Sequence, residues 1–133
     1  MKRYRKFPLP KEGMDKECVQ LCLSMNVVPG IQTIESCCGH GKTPYRIWFV
    51  ADDLESLPRL LYYFDPCHSG CPGWSVSVKT DCVMSPVTFK VEGPTGELAH
   101  ANSLHIAHLI MNDSVVASEL RRKGMRITKR TRK

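Results

Sequence analysis

Within the eight residues Ser36-Cys37-Cys38-Gly39-His40-Gly41-Lys42-Thr43 the chain sets two thiols, an imidazole, an ammonium, two hydroxyls and two glycines. Residues of these types support three chemistries. Glycines at 39 and 41 let backbone N–H groups approach an anion, while His40 and Lys42 add charge and Thr43 a hydroxyl, so Gly39, His40, Gly41, Lys42 and Thr43 are candidate ligands of a phosphate-bearing molecule in the Ser36 to Thr43 loop. The spacing is not that of a Walker loop. Cys37, Cys38 and His40 are also soft or borderline metal donors, and with Cys67 and Cys71 of the later Cys67-His68-x-x-Cys71 run they can complete a four-ligand zinc site. A thiol nucleophile at Cys37 or Cys38 is the third chemistry, with His40, His100 or His108 as base and Glu35 or Asp52 orienting the imidazole.

The elements around this loop are expected to make it the tip of a hairpin. Ile31 to Ser36 and Tyr45 to Ala51 read as strands, the second rich in β-branched and aromatic residues. Alternation along the first directs Cys37 and Cys38 to opposite faces. Before the hairpin, Met14, Cys18, Leu21, Cys22 and Met25 mark one face of a helix over Met14 to Asn26, which Pro29-Gly30 ends. After it, Ser56 and Pro58 open a helix with a stripe of Leu57, Leu61 and Phe64. The prolines and glycines of Pro66 to Gly73 predict irregular chain. Two more strands follow, Trp74 to Cys82 and Val87 to Glu92, turning near Ser85-Pro86. A helix over Glu97 to Met111 would lay His100, Leu104, Ala107, His108 and Met111 on the sheet, with Thr95 or Gly96 near its cap. A shorter helix is expected over Val115 to Lys123, capped by Asp113 or Ser114.

The order helix, hairpin, helix, hairpin, helix predicts an α+β domain of the α/β kind. Its four-stranded sheet would be mixed or antiparallel, with helices mainly on one face. A length of 133 residues fits one domain. Charge divides it into a basic arm over residues 1–11, a body over 12–124 and a basic tail over 125–133. Five of the nineteen Lys and Arg lie in Met1 to Lys11 and eight in Arg121 to Lys133, whereas all thirteen Asp and Glu fall between Glu12 and Glu119. Basic ends of this kind attract polyanions by counterion release. No apolar run approaches the ~18 residues of a membrane span, and no apolar signal core follows the basic start, so a soluble, cytoplasmic protein with no membrane partner is expected. Seven cysteines, an odd number, fit reduced thiols better than a disulfide framework.

Thr33-Ile34-Glu35-Ser36-Cys37-Cys38-Gly39-His40 resembles the Thr-x-x-Ser-Cys-Ser-Gly-Arg signature of the tRNA wybutosine-synthesis methyltransferase family. Pro10-Lys11-Glu12-Gly13-Met14-Asp15 is similar to that family's Pro-Lys-Gly-x-x-Asp entry, with shifted spacing. His40 stands where the family has Arg, and Cys38 where it has Ser. The resemblance implies an α/β fold, S-adenosylmethionine as methyl donor, a tRNA substrate, and Ser36, Cys37 and Gly39 in the donor and substrate pocket. The run also resembles small bacterial and phage proteins carrying Thr-x-Glu-Ser-Cys-Cys-Gly-His-Gly. Taken together, the residues predict a module that binds a phosphate-bearing nucleotide, free or within RNA, and sequesters it. An S-adenosylmethionine-dependent tRNA methyltransferase and a zinc-stabilised interaction module are the alternatives.

Overall fold

The computed structural model describes residues 14–52, 55–79 and 87–113 together with Val116 and Ser118. The basic arm and tail, Cys82, the turn at Ser85-Pro86 and most of the helix expected over 115–123 lie outside the described residues. The chain runs α1 (Lys16–Met25), β1 (Ile31–Cys37), a 3-10 turn (Gly39–Gly41), β2 (Pro44–Ala51), α2 (Ser56–Phe64), α3 (Pro66–Ser69), β3 (Ser75–Lys79), β4 (Thr88–Thr95) and α4 (Glu97–Met111). It is an α+β fold with one four-stranded sheet in the order β1-β2-β4-β3, and every pairing is antiparallel.

One core lies on one face of this sheet. Register aligns Thr33, Phe49, Phe89 and Val78 in one row and Ser36, Ile47, Val91 and Val76 in the next. Ile47, Phe49 and Val91 in these rows are buried among α1 residues Cys18, Leu21, Cys22 and Met25 and α4 residues Ala99, Ile106, Ala107 and Ile110. The alternate rows face the other way: Glu35, Trp48, Lys90 and Ser77, then Cys37, Arg46, Glu92 and Ser75. None of these eight residues is fully buried.

A β-bulge decides which of the two faces Cys37 joins. The β1–β2 register shifts between Thr33 and Glu35, leaving Ile34 as the extra residue, 48% exposed. Without the shift, alternation from Ile31 and Thr33 would turn Cys37 toward the core. With it, Ser36 faces inward and Cys37 outward, because one inserted residue inverts every later side chain of a strand. The α1–β1 connection is held by Asn26, whose side-chain amide donates to Thr33 Oγ1 and whose Oδ1 accepts from the Thr33 N–H, both at 2.8 Å.

The face expected for α1 is the one found: Cys18, Leu21, Cys22 and Met25 are buried. Three other expectations are corrected. Pro66 to Ser69 forms one helical turn, because proline tolerates a helix start, the Asp65 side chain accepts from the Cys67 N–H at 3.0 Å, and Gly70 closes it at φ 75°. In α2 the buried residues are Ser56, Leu60, Tyr63 and Phe64, and Leu61 turns outward. Tyr63 can go inward because its hydroxyl is satisfied by the Asp113 carboxylate. In α4 the buried face is Ala99, Ser103, Ile106, Ala107 and Ile110, whereas Leu104 and His108 are exposed. The buried face of α4 thus carries the small residues Ala99, Ser103 and Ala107, α4 packs against α1, and the Ser103 hydroxyl donates to the His100 carbonyl at 2.7 Å. No helix among the described residues is long and apolar enough to cross a membrane.

Candidate functional site

The loop between β1 and β2 is a tight 3-10 turn, and its backbone dictates where its side chains go. Gly39, His40 and Gly41 have φ of 84°, 51° and 79°, three successive left-handed residues. His40 is the one non-glycine residue among those described with positive φ, and an L side chain there costs roughly 1 kcal/mol or more. The Gly39 carbonyl accepts from the N–H groups of Lys42 at 2.9 Å and Thr43 at 3.1 Å, which closes the turn onto Pro44 and β2.

The backbone donors of the turn are directed at sulfur and carboxylate. The Gly39 N–H donates to Cys37 Sγ at 3.4 Å and the His40 N–H to Cys38 Sγ at 3.3 Å. The Cys38 N–H donates to Asp15 Oδ2 at 2.9 Å, joining the start of α1 to the loop. That backbone bond is the main reason the Asp15 carboxyl is held below its usual pKa, against an opposing push from burial. His40 Nε2 lies 3.8 Å from the same carboxylate, and His40 Nδ1 lies 3.8 Å from Cys38 Sγ. Asp15, Cys37 and His40 thus bring one oxygen, one sulfur and one nitrogen within 4.8 Å of one another.

The expected site residues divide by face. Ser36 turns inward, and its hydroxyl meets the thiols of Cys18 and Cys22. Burial raises Cys22 to about 11 and Cys18 to about 12. Cys37 is outward beside Arg46, whose Nη2 is 3.7 Å from Cys37 Sγ and 3.4 Å from Thr43 Oγ1. The Arg46 guanidinium carbon stands 5.5 Å from the Trp48 ring centroid, within cation–π range. Lys42, Gly41, Thr43 and His40 are exposed, while Gly39 is buried under Pro44 and Thr43. Cys38 packs partly against the core, and burial is the first cause of its raised pKa, the opposite of what an activated thiol nucleophile needs.

Cys67 and Cys71 lie outside the group formed by Asp15, Cys37 and His40. Cys67 is exposed on α3, and the buried Cys71 directs its thiol at the Ser69 carbonyl 3.7 Å away. His105 reaches the same carbonyl at 3.1 Å, and His108 pairs with Asn112. The six described cysteines are all free. A small cleft of about 150 Å³, lined by Pro29, Gly30, Glu55, Ser56 and Arg59, includes none of the loop residues.

Asp15 and Arg46 join the site from outside the Ser36 to Thr43 run. Asp15 enters the sequence reading only through the Pro10 to Asp15 resemblance, and nothing in its local spacing ties it to a loop 23 residues later. Arg46 carries a visible signal, a cation two residues before Trp48 on the same face of a strand. No protein-family model, no curated protein and no solved structure matches the chain.

Proposed function

We propose that the protein binds a nucleotide within single-stranded RNA on the outer face of the sheet, beside the β1–β2 loop. The observation that carries this reading is the position of Trp48. It is a large aromatic residue in a central strand, turned away from the core, with Arg46 over its ring and Lys90 beside it in register. Aromatic rings and guanidinium planes on an open sheet face are the surfaces on which unstacked bases settle. Lys42 and Thr43 at the hairpin tip extend the row toward a phosphate, and Lys79 adds a cation on the same face at the far strand.

The geometry shifts one role relative to the sequence reading. The N–H groups of Cys38, Gly39 and His40 are already directed at Asp15 and the two sulfurs, so the loop's phosphate contacts fall to side chains, with Lys42 and Arg46 first. The charge distribution favours a polymer over a free nucleotide. Thirteen of the nineteen Lys and Arg belong to the two ends of the chain, and a polyanion gains from such ends where a single nucleotide does not.

Anisotropy titrations of labelled single-stranded RNA across a salt series test the reading, with mononucleotides as competitors. Binding is expected to weaken linearly with log salt, and Lys42→Ala to reduce the slope by about 0.7, the value of one phosphate contact on a single strand. Equal affinity for a mononucleotide would replace the polymer by a free nucleotide as the ligand. Absence of binding by the folded chain to either would overturn the proposal.

A further inference from the structure

We infer that Asp15, Cys37 and His40 form a binding site for a divalent transition metal, zinc(II) by the chemistry of the donors. Three separate elements converge to make it: the residue preceding α1, the last residue of β1 and the middle residue of the 3-10 turn. Their ligating atoms all lie within 4.8 Å of one another. Neighbouring donors around a tetrahedral zinc stand about 3.3–3.8 Å apart, given bonds of about 2.0–2.3 Å. Contraction of about 1 Å therefore assembles three ligands, and the side chain that must move furthest is free to do so, since that of His40 is 69% exposed.

Two further observations support the assignment. Cys37 Sγ is held in place by the Gly39 N–H, which donates to it at 3.4 Å, and by Arg46 Nη2 at 3.7 Å, so the sulfur is fixed on the outer face beside the turn that carries His40. The left-handed backbone at His40 accounts for the second. Glycine would occupy that conformation without strain, as it does on both sides, yet an imidazole stands there with Nε2 3.8 Å from Asp15 Oδ2. The backbone thus keeps the imidazole beside the Asp15 carboxylate at a cost in local energy.

In their ligating forms, one carboxylate, one thiolate and one neutral imidazole carry −2, which the Arg46 guanidinium beside the sulfur reduces to −1. A sulfur donor and a nitrogen donor disfavour magnesium and calcium, which take oxygen ligands, and suit zinc. Cys38 stands outside the three-donor group, so the fourth position is left to water or to Cys38 after its sulfur moves. Bound metal would fix the loop that carries Lys42 and Thr43. The site does not depend on RNA binding, and the two are separable by experiment.

The full chain, stripped with chelator, is titrated with zinc by calorimetry and with cobalt(II) by absorbance, with circular dichroism confirming the fold. One equivalent is expected to bind, and cobalt to give a thiolate charge-transfer band that Cys37→Ser abolishes. Asp15→Asn, Cys37→Ser and His40→Gln are each expected to weaken zinc by at least about 100-fold, the upper end of what outer-shell substitutions cost. Cys67→Ser is expected to change nothing. Asp15 and Cys37 are partly buried and accept backbone N–H groups of the loop, so urea unfolding of each variant separates loss of binding from loss of the fold, and His40→Gln, at an exposed side chain, tests the site without that disturbance. No uptake by the folded protein would overturn the assignment, as would uptake unchanged by the three substitutions or uptake that requires Cys67 or Cys71. RNA titrations run on the same metal-free sample report on the other proposal independently.

Discussion

Gly39→Ala tests the account of the loop most sharply, because its cost can be worked from two separable causes. Gly39 has φ 84°, where an alanine is strained by roughly 1–2 kcal/mol. The added Cβ would also stand 3.0 Å from the Pro44 carbonyl oxygen, 3.1 Å from Thr43 Oγ1 and 3.3 Å from the Pro44 carbonyl carbon. Pro44 is the first residue of β2 and pairs with Thr95, so it cannot retreat without shifting the sheet end, and overpacking of this kind adds about 1 kcal/mol or more. Alanine stiffens the unfolded chain and returns about 0.4–1 kcal/mol. The expected net loss is about 2 kcal/mol. Gly41→Ala is the matched control: φ is 79°, but nothing lies within 4 Å of the added Cβ, so only the backbone strain remains and the loss should be about 1 kcal/mol or less. Urea unfolding of both variants, read by circular dichroism with unchanged slope, gives the difference directly. Equal stabilities, or a greater loss in Gly41→Ala, would refute the described packing of the turn against Pro44.

Leu60→Ala should cost about 2–5 kcal/mol, because Leu60 is completely buried, while Leu61→Ala should cost less than about 1 kcal/mol. Thermal or urea unfolding checks this, and the reverse order would restore the Leu57–Leu61–Phe64 stripe expected from periodicity. The buried thiols predict loss of stability in alkali. Burial raises Cys22 from 9.0 to about 11, so the folded state favours its neutral form. That contribution is complete below pH 9 and is lost as pH rises toward 11, by about 3 kcal/mol for Cys22 alone. Unfolding free energies measured from pH 8 to 11 should fall, and a flat profile would contradict the placement of these thiols. In the native protein at neutral pH, iodoacetamide should modify exposed Cys67 well before Cys18 or Cys22, as peptide mass mapping would reveal.

Much of the scaffold can be read from local pattern, and its failures have physical causes. Tyr45, Ile47 and Phe49 alternate with Arg46, Trp48 and Val50, and the strand folds with that alternation intact. The α1 face is legible because apolar residues at helical spacing supply it. The α4 face is not, because its buried side includes Ala99, Ser103 and Ala107, whose small side chains carry little hydropathy signal, while Leu98 and Leu104 remain outside. Tyr63 is hidden from a pattern search because its burial depends on a carboxylate 50 residues away. The loop is legible as the tip of a hairpin from Ile31 to Ala51, but its internal arrangement is not. The bulge at Ile34 moves Cys37 to the outer face, and Asp15 reaches the loop only through the tertiary fold.

The proposed stacking of an RNA base on Trp48 is tested by the affinity of Trp48→Ala for a single-stranded oligoribonucleotide beside that of the unaltered chain. A stacked base is worth ~1–3 kcal/mol, so the variant should bind roughly 5- to 150-fold more weakly. Trp48→Phe should recover part of the loss, and circular dichroism should be unchanged because Trp48 lies outside the core. Equal affinity of the unaltered chain and Trp48→Ala would overturn the assignment of Trp48 as the surface on which a base stacks.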